Sequence, residues 1–138
     1  MSERVLKVGI ASLEEMRART LAIARGEHRP GPDEPKVWFT SVESLAQVLS
    51  SKNQLLLDLI ARAEPASLAE LAELTGRNKA NLSRTLRTMR RYRLVEMRRG
   101  EGRCLMPRVP YERIELDLPV GHPAARRYPG APVAEARQ

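Results

Sequence analysis

"SLAELAELTGRNKANLSRTLRTM", residues 67–89, decides how this chain is read, because it resolves into two helices joined by a glycine turn. Ser67 and Glu70 have capping-box spacing. Leu68, Leu71, Ala72 and Leu74 then predict a short helix over 68–75 with one apolar bracing face. Gly76 closes it and supplies the backbone freedom to turn through about 90–120° in three or four residues. Asn78 is a good N-cap for a second helix over roughly 79–92. In that helix Ala80, Leu82, Leu86 and Met89, with the stem of Arg93, are expected inward. Asn78, Lys79, Asn81, Ser83, Arg84, Arg87, Thr88 and Arg91 are expected outward.

Downstream, "LVEMRR" (94–99) and "RCLMPRV" (103–109) alternate around "GEG" (100–102), which predicts a β-hairpin with a three-residue turn. Pro107 restricts its strand to an edge role, and "ERIELDL" (112–118) alternates well enough to add another strand. Bracing helix, Gly turn, polar-faced helix and Gly-tipped hairpin, in that order, make a winged helix-turn-helix. The predicted class is therefore mainly α with a small β wing (α+β).

Upstream, "VLKVGI" (5–10) reads as a short strand leading into a helix with Ser12 and Glu15 at capping-box spacing. Leu13, Met16, Thr20 and Ile23 share its expected apolar face, and Gly26 is its stop. "HRPGPDEP" (28–35) is a linker or exposed loop, and "KVWFT" (36–40) is β-prone. Thr40 with Glu43, and Ser51 with Gln54, are expected to cap the next two helices. The second shows Leu55, Leu56, Leu59 and Ile60 on one face, and Pro65 prevents it from continuing. These signals divide the chain into an N-terminal strand–helix extension with a Pro-rich linker (1–39), the winged helix-turn-helix (40–118) and a disordered tail (119–138).

The charge is placed unevenly. Residues 77–113 hold twelve Lys/Arg and three Glu, a net +9, against +7 for the whole chain, so the remainder is −2. Such an asymmetry points to a polyanionic partner, with nucleic acid ahead of an acidic membrane. Cys104 alone cannot form an internal disulfide, which fits a reducing cytoplasm. His28, His122 and Cys104 are too dispersed in sequence to suggest zinc, and no run approaches the ~18 apolar residues of a membrane span. No cofactor motif, phosphate loop or nucleophile–base pairing is evident, so an enzyme is not expected.

In a helix lying in the major groove the N-terminal residues reach deepest, so base reading falls to Lys79, Asn81, Ser83 and Arg84. Arg and Asn can form bidentate pairs with guanine and adenine, worth about 1–3 kcal/mol of discrimination each. Arg87, Arg90 and Arg91 are assigned to phosphate, as are Arg77 in the turn and Arg98, Arg99 and Arg103 around the hairpin tip. Glu101 at that tip argues against deep groove insertion.

Residues 40–118 resemble the MarR/ArsR-type winged helix-turn-helix regulators of bacteria and archaea. "LAELTGRNKANLSRTLRTM" is similar to a subgroup with Gly-Arg in the turn followed by Asn, an aliphatic residue and Arg along the recognition helix. Gly76, Arg77, Asn81, Leu82, Arg84, Leu86 and Met89 stand at those positions. "KVWFTSVESLAQVLSSKNQLLLDLI" and "LKVGIASLEEM" also resemble the subgroup's approach to the motif. The resemblance implies transcriptional regulation, and in some members an antitoxin role beside a toxin gene. Arg93 departs from the wider family, which usually has Gly between recognition helix and wing.

The function expected is that of a sequence-specific double-stranded DNA-binding regulator. A repressor role on a palindromic operator, as a homodimer, fits best. Residues 5–25 and 41–50 are the candidate dimer surface. The alternatives are a module that chiefly neutralises a cognate toxin, or an RNA-binding winged helix. The RNA reading is disfavoured because only Tyr92 and Tyr111 lie near the basic face to stack on bases.

Overall fold

The computed structural model describes residues 4–102, 104–118 and 120. Ten elements follow one another: β1 (Val5–Ile10), α1 (Leu13–Ala24), β2 (Val37–Phe39), α2 (Val42–Val48), α3 (Ser51–Ala63), α4 (Leu68–Thr75), α5 (Lys79–Arg91), β3 (Glu96–Arg99), β4 (Leu105–Arg108) and β5 (Arg113–Asp117). The fold is mixed α+β and contains the expected helix-turn-helix and wing. The expected disordered tail, 119–138, lies outside the described residues apart from Val120. Contacts divide the described chain into two compact units. One comprises residues up to Leu6 with Ala46–Arg113, and the other comprises Lys7–Leu45 with the described residues from Ile114 onward.

The first unit holds the winged helix. Its core is Leu56, Leu57 and Ile60 of α3, Leu71 of α4, Leu82, Leu86 and Met89 of α5, and Leu94 and Val95 beyond it. Helix α4 packs on α5, and β4 packs on α3 and α4. β3 and β4 pair antiparallel, with Glu96 opposite Arg108 and Arg99 opposite Leu105. The wing loop therefore spans five residues, 100–104, rather than the three expected. Gly100 and Cys104 close it through a backbone hydrogen bond of 2.9 Å, and Gly102 takes φ 67°. Pro107 is fully buried opposite Met97.

Local capping explains where these helices begin. Ser67 Oγ accepts from the Glu70 amide at 3.1 Å, and the Glu70 carboxylate accepts from the Ala66 amide at 3.1 Å. For α3 the cap is Ser50, not Ser51: its Oγ accepts from the Asn53 amide while Ser51 is already helical. Adjacent serines leave this one-residue choice open until the backbone is seen. The buried face of α3 is Leu56, Leu57 and Ile60, leaving Leu55 67% exposed and Leu59 half-buried. Three consecutive leucines disguise the phase, since each step along a helix rotates about 100°. On α4 the inner face is Leu68, Leu71, Ala72 and Thr75, whereas Leu74 is exposed. Thr75 repays its place by donating to the Leu71 carbonyl at 2.9 Å and accepting from the Arg77 amide at 3.2 Å.

The second unit is built on a three-stranded sheet of order β2-β1-β5. β1 and β2 are parallel, with Val8 opposite Val37 and Ile10 opposite Phe39, and α1 makes the crossover. Ser12 caps α1 through the Glu15 amide, and Gly26 at φ 74° follows its end. The expected inner face of α1 is used only in part: Met16 and Ile23 are half-buried and Ala22 is buried, whereas Leu13 is 69% exposed and Thr20 is exposed. Ser41 rather than Thr40 starts α2, because Ser41 and Ser44 exchange side-chain and amide bonds at 3.0 and 3.3 Å. The segment 28–35 is a loop, one of the two readings its composition allowed, and it is tethered. Glu34 pairs with Arg19 at 3.1 Å and with His28, and Lys7 Nζ donates to the Asp33 carbonyl at 2.9 Å.

Candidate nucleic-acid interface

Helix α5 separates its residues by polarity around the axis. Leu82, Leu86 and Met89 recur at i, i+4 and i+7 and are 0–3% exposed. On the opposite side Arg84, Arg87 and Arg91 are exposed, and Ala80 lies with them rather than inward as expected. Ala80 is two residues from Leu82, which on a helix is a rotation of about 200°. The expected inward stem of Arg93 is likewise exposed.

Asn78 is committed to capping: its Oδ1 accepts from the amides of Ala80 at 2.8 Å and Asn81 at 3.3 Å. The four residues assigned to base reading divide between two flanks. Lys79 and Ser83 turn toward the wing, where with Arg87 and Arg90 they line a cleft. Asn81 and Arg84 are exposed away from it, Asn81 toward the Thr88 side by helical spacing. Ser83 is half-buried. Among the described residues none of Lys79, Arg84, Arg87, Arg90, Arg91 and Arg99 stands in an ion pair.

The remaining cations have individual histories. Arg77 sends its guanidinium back to the Lys52 carbonyl at 3.0 Å, tying the turn to the first turn of α3. Arg98 is held by Glu96, its neighbour two residues back along β3. Arg99 is exposed, and Arg103 lies outside the described residues. Arg108, which no motif singled out, is a structural cation: its guanidinium donates to the Pro65 carbonyl at 2.7 Å and approaches Glu64 at 3.6 Å.

Arg93 stands where a left-handed residue is required, with φ 60°. The Leu94 amide reaches the Met89 carbonyl at 2.9 Å and the Arg93 amide reaches Arg90 at 3.0 Å, a Schellman closure. Leu94 and Met89 are both fully buried, and burial on either side of the closure offsets a cost of about 1 kcal/mol for a non-glycine residue. Tyr111 reinforces the same junction by donating its hydroxyl to the Leu94 carbonyl at 2.8 Å. Burial pushes the Tyr111 pKa well above its ordinary value, so the hydroxyl keeps its proton. Sequence reasoning weighed Tyr111 only as a stacking residue; nothing local marks a partner 17 positions away.

The arrangement presents unpaired guanidinium and amide donors on one helix beside a basic hairpin, the equipment for meeting phosphates and base edges. Among the described residues no helix is long and apolar enough to cross a membrane. No curated protein matches the chain. Among solved structures, a crystal structure of a predicted DNA-binding transcriptional regulator from E. coli is similar over 69% of this chain and 84% of that one, with 21% identity and a TM-score of 0.44. The family model described as HVO_A0114 matches residues 48–116, half of the chain, from the end of α2 through most of β5. The chain belongs to the HVO_A0114 family.

Proposed function

We propose that the chain is a sequence-specific double-stranded DNA-binding transcriptional regulator. The observation that carries this reading is the division of α5: three side chains locked in the core, and a solvent face of unpaired Arg, Lys and Asn. A helix anchored this firmly can hold its donors in one geometry, which base discrimination needs and nonspecific attraction does not.

The regulator acts as a repressor on a palindromic operator, bound as a homodimer with half-sites about 34 Å apart. Both candidate dimer segments carry exposed apolar side chains, Val5, Leu13 and Leu21 in 5–25 and Val42 in 41–50. Toxin neutralisation rests on the family resemblance alone; pull-down of products from neighbouring genes tests it.

The experiment that tests the main reading is selection of bound sequences from random duplexes, followed by titration of variants. Arg84→Ala and Asn81→Ala are each expected to weaken the selected site by about 1–3 kcal/mol and relax preference at one base position. Arg99→Ala is expected to weaken all duplexes alike and reduce the salt slope by about one. Selection that returns no preferred sequence would refute specific recognition.

A further inference from the structure

Between the first turn of α4, one flank of α5 and the wing lies a cleft of about 530 Å³. Small-ligand pockets commonly span about 300–1,000 Å³. Its apolar wall is made by Leu68, Leu86, Met97 and Leu105. Its rim carries Lys79, Arg87 and Arg90, and the described residues lining it include no acid. None of these three cations has an acidic partner among the described residues. The described residues lining it also include no aromatic ring and so offer no stacking face; Leu and Met side chains adapt to an aliphatic tail instead.

We propose that this cleft binds a free aliphatic carboxylate. Its head meets the cationic rim through charge-assisted hydrogen bonds, and its chain lies on the Leu and Met wall. Charge complementarity selects the head, and the absence of rings and acids from the described lining selects the tail. Lys79 and Ser83 belong to the face assigned to bases, so an occupant there excludes DNA. That competition rests on the function proposed above; binding of the anion to the protein alone does not.

The test is calorimetric titration of the full chain, without DNA, by octanoate, octanol and acetate. Octanoate is expected to bind at one saturable site, with octanol (no charge) and acetate (no tail) each at least about tenfold weaker. Leu105→Asn, at a position 44% exposed, should weaken octanoate about tenfold while the thermal transition stays intact. The double variant Arg87→Gln, Arg90→Gln, on the helix exterior, should do likewise and covers the case in which Leu105→Asn fails to fold. Octanol or acetate binding as tightly as octanoate, or either folded variant binding octanoate unchanged, overturns the site. In a second arm, octanoate should release duplex DNA from the wild type and not from Leu105→Asn. DNA retained at saturating octanoate overturns the competition. A chain that binds no duplex overturns the proposed function, while calorimetry still decides the cleft.

Discussion

Helices α1 and α5 are of nearly equal length, twelve and thirteen residues, and both begin at a side-chain cap, yet only one of them wears its packing in its sequence. On α5 the apolar residues are few and everything else is polar, so Leu82, Leu86 and Met89 have one possible phase. On α1 apolar and small residues are scattered around the axis, and the structure buries Ala22 while leaving Leu13 and Leu21 exposed. The contrast teaches that a helix is legible from sequence when its apolar positions are scarce. Where alanine and leucine are spread around it, the neighbours choose the face.

The sharpest way to break that contrast is truncation of one leucine or methionine from each helix. Met89→Ala, at a fully buried position, is expected to cost about 2–5 kcal/mol in denaturant unfolding. Leu13→Ala, 69% exposed, should stay within about 0.5 kcal/mol when the chain is dilute. A large Leu13 effect that grows with protein concentration would instead mark α1 as part of the homodimer surface.

A second test asks whether the α1 unit has its own tight point. A Cβ on Gly9 would lie 2.6 Å from the Trp38 ring and 2.9 Å from Pro35, closer than packed atoms tolerate. Gly9→Ala is expected to destabilise by about 1–3 kcal/mol, read as a lowered unfolding midpoint. Trp38 fluorescence should report it, because the ring must move or the strand must shift. A silent Gly9→Ala would mean that the β1–β2 packing is looser than the side chains imply.

Capping offers a smaller probe. Asn78→Ala removes the acceptor for two amides and should cost about 1 kcal/mol by chemical denaturation. The smallest effect belongs to Arg93→Gly, which relieves the left-handed strain and should stabilise by up to about 1 kcal/mol. If the same change weakens binding to every duplex equally, Arg93 is retained for a phosphate contact.

Much of the candidate interface was legible in advance because its signals are local. Ser67 with Glu70, Gly76, Asn78 and the i, i+4, i+7 stripe of α5 are read within one or two helical turns, and each stands where its chemistry requires. The misjudged features lie one step beyond that range. Ser50 or Ser51, and Ser41 or Thr40, differ by one residue in otherwise equivalent surroundings. Leu55 or Leu57, and Leu74 or Thr75, were decided by which side of the helix faces its packed neighbours.

By itself, then, the sequence determined the order of helices, the glycine turn, the basic wing and the inner stripe of α5, since backbone capping and helical period act between near neighbours. Only the tertiary structure decided that β5 joins β1, that Arg77 and Arg108 are anchored at Lys52 and Pro65, and that Tyr111 secures Leu94. It also gathered Leu68, the flank of α5 and Leu105 around one cleft. The hydrogen bonds of Arg77, Arg108 and Tyr111 join residues 17–43 positions apart, where burial and hydrogen-bond satisfaction across the folded chain select the partner and no local pattern can name it.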